Sequence, residues 1–263
     1  MSWLPLLIAG LCGIVVGILA GIFGIGGGIL VIPLMRIGFG FPGLVAAGTS
    51  LFTILFTSGS GIIGRLRSKT VSIGVGACVG IGGMILTPVG SWLSEQVGGS
   101  VVMVVTGAII VYTGVRMLVK TILADKGKKK IETVSLDDLK MTKANAAKAI
   151  AVGAIGGFAS GFVGLGGGFI ITPVLMWIFK MSLKDASGTT LMSIFLIAIP
   201  GAISHGILGH ISYLYGLAIA AGSIIGAQIG SRLVTKIPEH TLRIIFAIFL
   251  FSMGLYLALN EIL

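Results

Sequence analysis

Charged residues are scarce in this sequence. Asp, Glu, Lys and Arg make up 10% of its 263 residues, whereas a soluble globular domain carries about 25%. Hydrophobic residues make up 56%, the mean hydropathy is +1.12, and several apolar runs exceed the roughly 20 residues that span a bilayer. The composition excludes an ordinary soluble domain. It predicts an all-α integral membrane protein, because a membrane β-barrel would show short alternating strands instead.

Acidic residues are the rarest charged type, with eight Asp and Glu against 18 Lys and Arg, and none of the eight lies in the middle of an apolar run. A cation carrier or a proton pump usually needs a carboxylate within the membrane, so the chain is poorly equipped for cations. The net charge of +10 does not indicate nucleic-acid binding, because the basic residues lie at segment ends and in one loop, where they report membrane topology.

Several other features are missing. The two cysteines, Cys12 and Cys78, both lie in apolar runs, so no disulfide framework is implied. No Gly-x-x-x-x-Gly-Lys-Ser/Thr sequence occurs, which argues against ATP-driven transport by this chain alone. No Gly-x-Ser-Gly sequence occurs either, which argues against an intramembrane serine protease. We therefore expect no enzymatic activity, no metal and no cofactor. Met1–Ala20 lacks a basic n-region and is expected to belong to the mature protein.

Glycine, by contrast, is abundant, with 43 residues, and it forms a repeated motif. The stretch Gly-Ile-Phe-Gly-Ile-Gly-Gly-Gly-Ile-Leu-Val-Ile-Pro at residues 21–33 recurs as Gly-Phe-Val-Gly-Leu-Gly-Gly-Gly-Phe-Ile-Ile-Thr-Pro at residues 161–173. Each glycine costs a helix about 1 kcal/mol relative to alanine, so three in a row should break the helix within the membrane. Backbone freed at that depth must be buried in protein or line a wet cavity. A matched pair of such breaks points to the binding site of a transporter.

The 140-residue offset continues without a gap beyond the motif, since Gly48-Thr49 matches Gly188-Thr189 and Gly90-Ser91 matches Gly230-Ser231. We therefore predict a first membrane repeat at residues 1–120, a cytoplasmic basic loop at 121–148, and a second membrane repeat at 149–263. Each repeat has four hydrophobic segments. Those of the first are about Trp3–Met35, Leu44–Gly64, Val71–Leu93 and Val101–Val119, and those of the second are about Ala149–Phe179, Ala186–His205, Ile211–Leu233 and Leu242–Leu259.

Two membrane topologies fit these segments. If the first segment of each repeat is a re-entrant hairpin, every connection with several basic residues lies inside, both termini lie outside, and the repeats are inverted. If each first segment crosses once, eight spans result, both termini lie inside, and Lys180, Lys184, Arg232 and Lys236 all lie outside. Because cytoplasmic loops carry the excess of Lys and Arg, the charges favour inverted repeats. The true number of crossings stays open.

Backbone N–H groups and hydroxyls are the polar groups available at depth, and both are donors suited to anions. Where a glycine run breaks a helix, the next helix begins with free N–H groups and a partial positive charge. Nearby Thr and Ser residues early in the following segment add hydroxyls. The competing interpretation is that the glycines permit close helix crossing and the hydroxyls bond their own helix. The predicted substrate-binding residues are Gly26, Gly27, Gly28, Thr49, Ser50, Gly166, Gly167, Gly168, Thr189 and Thr190.

Arg65 and His205 occupy matching positions in the two repeats. A gate or a proton-linked role is the functional hypothesis for this pair, because histidine titrates near neutral pH. The competing expectation for His205 is a solvated loop position beside His210.

The doubled Gly-x-x-Gly-x-Gly-Gly-Gly…Pro motif, with Gly-Thr-Ser at 48–50 and Gly-Thr-Thr at 188–190, resembles the TauE/SafE sulfite exporter family, also described as toluene-sulfonate uptake permeases. The resemblance covers nearly the whole chain. It implies a multi-pass transporter of the cell (plasma) membrane for small sulfur-containing anions, such as sulfite, thiosulfate, sulfoacetate or related sulfonates. It fixes neither the anion nor the direction.

The membrane potential drives an anion outward by about 2.3 kcal/mol per charge per 100 mV, so export needs no coupling ion and is the favoured direction. An anion channel or facilitator of broader specificity is the alternative. The expected partners are a small anionic sulfur compound and the lipid bilayer, without nucleic acid. The sequence leaves homo-oligomerisation open.

Overall fold

The structure is a computed structural model, and it describes residues 3–97, 99–126, 133–136, 139 and 141–262. These ranges form α-helices joined by short connections and contain no β-strand. A π-helical turn, Leu34–Gly38, continues the second helix, and a 3-10 turn, Val234–Lys236, follows the ninth. The helices are α1 Leu4–Phe23, α2 Gly28–Pro33, α3 Gly43–Arg67, α4 Ile73–Val97, α5 Gly99–Lys126, α6 Lys143–Val163, α7 Gly168–Ile178, α8 Leu183–Ile207, α9 Tyr213–Leu233 and α10 Glu239–Ile262.

Six helices in the described ranges are long and apolar enough to cross a membrane, namely α1, α3, α4, α6, α8 and α9. The two helices that follow the glycine motifs are shorter: α2 with its π-helical turn, and α7. The all-α membrane fold predicted from composition is confirmed.

The helices that flank the central connection are longer than predicted. α5 continues to Lys126 and α6 begins at Lys143, so both extend into the stretch predicted as a loop. Thr142 explains the start of α6, because its hydroxyl accepts the N–H of Asn145 at 3.3 Å and caps the helix. The lysine run 128–130 of the predicted cytoplasmic loop lies outside the described residues.

The two repeats are interlocked. α3 and α8, whose bounds differ by the same 140 residues, pack against each other, and so do α5 and α10. The first helix of each repeat packs on the third long helix of the other: α1 on α9, and α6 on α4. Glycines permit these contacts, since a Cβ on Gly17 or Gly157 would collide with the backbone of the facing helix.

α3 and α8 run in opposite directions. The hydroxyl of Thr49, near the start of α3, accepts the N–H of Ser212, just after α8. The hydroxyl of Thr189, near the start of α8, accepts the N–H of Ser72, just after α3. Each helix therefore begins where the other ends. This reciprocal pairing is what two oppositely directed copies of one repeat would produce, and inversion across a membrane stays a prediction.

Four connections meet at one end of the helix bundle, which we call the basic end. The N–H of Val134 donates to Lys180 O at 2.9 Å, the ammonium of Lys184 donates to Thr235 O at 3.2 Å, and Arg65 at the close of α3 donates to Lys184 O at 3.2 Å. The connections after α3, before α6, before α8 and after α9 thus share this end. At the opposite end, the connections 39–42 and 208–212 contain no Lys or Arg.

The first segment of each repeat is a hairpin. α1 runs beside α9 in the same direction, since Gly13 meets Ile219 and Gly21 meets Ala227, and so it travels toward the basic end. The chain then turns and comes back, because the Phe39 ring contacts the ring of Tyr215 at the start of α9, with centroids 4.9 Å apart. The backbone path is that of a hairpin, while the side of the membrane on which its ends lie stays a prediction.

Candidate functional site

Both glycine motifs break their helices. α1 ends at Phe23, and Gly24 closes it with φ 71°, its N–H donating to Ala20 O at 2.8 Å. In the second copy α6 ends at Val163, and Gly164 closes it with φ 80°. Gly27 and Gly167, which precede α2 and α7, also have positive φ angles, 90° and 70°. Glycine adopts these left-handed conformations without the steric cost that a Cβ adds.

The two breaks touch at the centre of the bundle. A Cβ on Gly28 would lie 2.7 Å from Leu165 Cα, and one on Gly168 would lie 2.8 Å from Ile25 Cα. Ile25 and Leu165 are fully buried. The central glycines of both motifs, Gly26 and Gly166, face the same two side chains, Ile54 of α3 and Ile194 of α8. The breaks therefore meet where the two oppositely directed helices pack.

Several amide hydrogens at the breaks have no acceptor. The carbonyl of Gly167 accepts the N–H groups of Ile170 and Ile171 at 3.0 and 2.9 Å. In the described part of the chain, however, no hydrogen bond satisfies the N–H groups of Gly26, Gly27 or residues 166–168. Unpaired amide hydrogens at the start of a helix attract negative charge. The predicted glycines are thus together and buried, and among the described residues the N–H groups of all of them except Gly28 lack an acceptor.

The predicted hydroxyls are not together. Thr49 and Thr189 lie at opposite ends of the bundle, where they accept the Ser212 and Ser72 amides at 2.9 and 3.0 Å. Thr190 accepts a hydrogen bond from Thr172 at 3.0 Å. Ser50 is fully buried and its hydroxyl has no partner. The two first-named threonines tie helix ends, so a single centre shared by all four hydroxyls is not formed.

Arg65 and His205 occupy equivalent places beside the breaks. The Arg65 guanidinium donates to Gly21 O and Ile22 O at 2.9 and 2.8 Å, at the C-terminal end of α1. His205 Nε2 lies 3.2 Å from Gly161 O, near the C-terminal end of α6. Since a carbonyl can only accept, Nε2 is the protonated nitrogen. Both side chains are fully buried, so the expectation of a solvated loop histidine was wrong.

Sequence reasoning missed two residues at the breaks. Ser187 of α8 accepts from Arg65 at 2.7 Å and helps to hold the guanidinium. Ser160 of α6 is fully buried and its hydroxyl has no partner. The signal for Ser160 was its place four residues before Gly164, in the last turn of α6, where the first repeat has Ala20.

Acidic groups do not contribute to this centre. The buried polar residues of the described chain are Ser and Thr residues with Arg65, His205 and Arg243, and include no Asp or Glu. No group of three or more His, Cys, Asp or Glu side chains able to hold a metal ion occurs among the described residues. The polar groups near the breaks are therefore mainly hydrogen-bond donors.

Two interlocked helical repeats, each interrupted by a glycine turn near the centre of the bundle, are typical of membrane transporters. A family model described as "Sulfite exporter TauE/SafE" matches residues 9–257. The chain belongs to this family.

Curated relatives support the same class. The chain is 29% identical to the probable membrane transporter protein YunE of Bacillus subtilis (strain 168), over 97% of this chain and 96% of the relative. It is 30% identical to the probable membrane transporter protein MJ0441 of Methanocaldococcus jannaschii, over 97% of this chain and 96% of that relative. No solved structure matches the chain. Family and relatives indicate a membrane transporter rather than an enzyme.

Proposed function

We propose that this protein is a secondary transporter of the plasma membrane that exports a small sulfur-containing anion, such as sulfite, thiosulfate, sulfoacetate or a related sulfonate. The observation that carries the proposal is the pair of buried glycine breaks whose amide hydrogens lack acceptors. The family description, sulfite exporter, supports the choice of anion class.

Anion binding follows from the physics of the breaks. The start of a helix carries a partial positive charge of about half an elementary charge, and free N–H groups point along the axis toward a ligand. The fold fixes these backbone donors in place. A cation at the same point would meet N–H groups and no buried carboxylate of the described residues.

The charge distribution supports a direction. Lys180, Lys184 and Arg67 lie at the basic end, in or beside its connections. We place that end and the central loop in the cytoplasm, because positive residues stay inside. Export then moves the anion from the basic end to the opposite end. The membrane potential assists by about 2.3 kcal/mol per charge per 100 mV.

The closed centre favours a carrier over a channel. Ile54 and Ile194 side chains lie 3.0 and 3.1 Å from a Cβ position on Gly26, so apolar side chains fill the space beside the break. A carrier closes its binding site toward at least one side of the membrane at every moment, whereas an open pore does not.

Flux measurements in proteoliposomes test the proposal. Purified protein should carry at least one of labelled sulfite, thiosulfate and sulfoacetate, with saturation and with acceleration by the same unlabelled anion on the other side. Large single-channel currents without counter-transport would favour the channel instead. Absence of flux for all three anions would overturn the proposal.

A further inference from the structure

Buried hydroxyls in this protein nearly always have a partner. Within the helices they donate to the carbonyl one turn earlier, as Thr57 does to Thr53 O at 3.0 Å and Thr87 does to Gly83 O at 2.7 Å. Among the buried Ser and Thr of the described chain, two hydroxyls have no partner, those of Ser50 and Ser160. A buried donor without an acceptor costs free energy, so these two exceptions point to a missing ligand.

Ser160 lies on the face of α6 that packs on the second break. Gly156 lies one turn earlier on the same face of α6. A Cβ placed on Gly156 would lie 2.5 Å from the Ile171 side chain of α7, and the Gly156 carbonyl lies against Gly167. In the first repeat the matching residue, Ala20, has its Cβ 3.5 Å from a Cβ position on Gly27. Ser160 therefore lies over the glycine turn that precedes α7.

Ser50 lies on the face of α3 that packs on the same break. Ala47, three residues earlier, packs on Gly164, and Ile54, four residues later, lies 3.0 Å from a Cβ position on Gly166. Residues spaced by three and four share one helix face, so Ser50 lies between these two contacts. Two serines with unpartnered hydroxyls, one from each repeat, thus lie on helix faces that pack beside the start of the 11-residue helix α7.

The first break lacks this arrangement. The residue that matches Ser160 is Ala20, which has no hydroxyl. The residue that matches Ser50 is Thr190, whose hydroxyl, unlike that of Ser50, has a hydrogen-bond partner, the hydroxyl of Thr172. The two halves of the centre are therefore chemically unequal, although their backbones are alike.

We infer that the anion is bound at the second break, by the N–H groups of residues 166–168 together with the hydroxyls of Ser50 and Ser160. This inference rests on the proposed function and narrows it from two breaks to one. The donors suit an oxyanion head group with several acceptor oxygens, such as sulfite or the sulfonate of an organic acid. The first break supplies the opposing wall of the closed centre.

Single substitutions separate a binding role from a structural one. Ser50→Ala and Ser160→Ala should each raise the KM for sulfite about tenfold or more, because each removes a hydrogen bond to a charged ligand. Both should leave thermal stability in detergent unchanged or higher, since each removes an unsatisfied buried hydroxyl. Ser58→Ala is the matched control in α3, because that hydroxyl already donates to Ile54 O at 2.6 Å. It should leave the KM for sulfite unchanged.

Two outcomes would overturn the assignment while the proposed transport stands. One is wild-type flux with KM values for sulfite, thiosulfate and sulfoacetate within twofold of wild type in both alanine variants. The other is a loss of stability in those variants that matches the loss of flux. The double change Ser160→Ala with Ala20→Ser moves one hydroxyl to the first break. Recovery of the wild-type KM in this double variant would also contradict the assignment of the anion to the second break. Absence of flux in the wild type removes both proposals.

Discussion

Gly24 and Gly164 show how single residues hold the two hairpins in place. Both have positive φ angles, 71° and 80°, and both press on backbone of the other repeat, at Ser187 and at Ala47. A side chain at either site would meet strain in its own backbone and a collision with a neighbouring helix. Other glycines share the φ angle without the contact: Gly209, at φ 72°, has nothing within 4 Å of a Cβ position.

Gly164→Ala should therefore be far more harmful than Gly209→Ala. For Gly209 we expect a loss of about 1 kcal/mol, which is the cost of a left-handed non-glycine residue. For Gly164 the collision with α3 adds to that cost, and folded protein should be lost from the membrane fraction. Thermal unfolding and size-exclusion profiles in detergent measure both variants. Equal stability of the two would contradict the close contact at Ala47.

Aligning the two repeats pairs Arg65 with His205 but does not reveal what either side chain contacts. Their match in the two repeats was visible in the sequence, and a gate or proton-linked role stays a prediction. Their burial and their bonds to the ends of α1 and α6 were not visible. The helices that supply those carbonyls are 44 residues away in sequence, and local pattern does not report such distant partners.

At the scale of helices, Thr49 and Thr189 form hydrogen bonds that join α3 to the start of α9 and α8 to the start of α4. Their hydroxyls accept the amides of Ser212 and Ser72, which lie just before α9 and α4. Thr49→Val and Thr189→Val keep the side-chain shape and remove the acceptor. Each should cost about 1 kcal/mol of stability, as the loss of a helix-start cap does, and leave the KM for the anion unchanged.

Measurement of both quantities decides between the two roles of these threonines. Thermal unfolding measures the stability that the two hydrogen bonds contribute. The KM from flux in proteoliposomes tests the anion-binding role expected from the sequence. A KM increase of tenfold without a change in stability would show that the hydroxyls reach the anion after all.

For the whole molecule, the meeting of the basic connections at one end predicts the orientation in the membrane. With Cys12 and Cys78 replaced, single cysteines at Arg67 and Lys184 should react with an impermeant reagent only from the cytoplasm. A cysteine at Leu208, in the connection at the opposite end, should react only from outside. These sites lie in both repeats, so one experiment tests both hairpins. Labelling of Lys184→Cys from outside alone would end the inverted arrangement.

The all-α membrane class and the two helix breaks followed from the sequence alone, while the two-repeat division stays a prediction and the number of crossings stayed open. Hydrophobic length sets where a chain can cross a bilayer, and three glycines break a helix wherever they occur. Lysine and arginine spacing also indicated the hairpins, because charge is expensive to move across the membrane. These properties depend on neighbours along the chain or on the solvent.

Only the tertiary structure showed which helices pack against each other. α1 packs on α9 of the other repeat, and Ala47 and Ile54 of the first repeat contact Gly164 and Gly166 at the break of the second. The sequence repeat is identical whether the helices of each half pack on one another or on those of the other half. Sequence periodicity therefore does not distinguish packing within a repeat from packing between repeats. The inequality of the two breaks likewise depends on which hydroxyls find partners, and that is fixed when the interlocked helices meet.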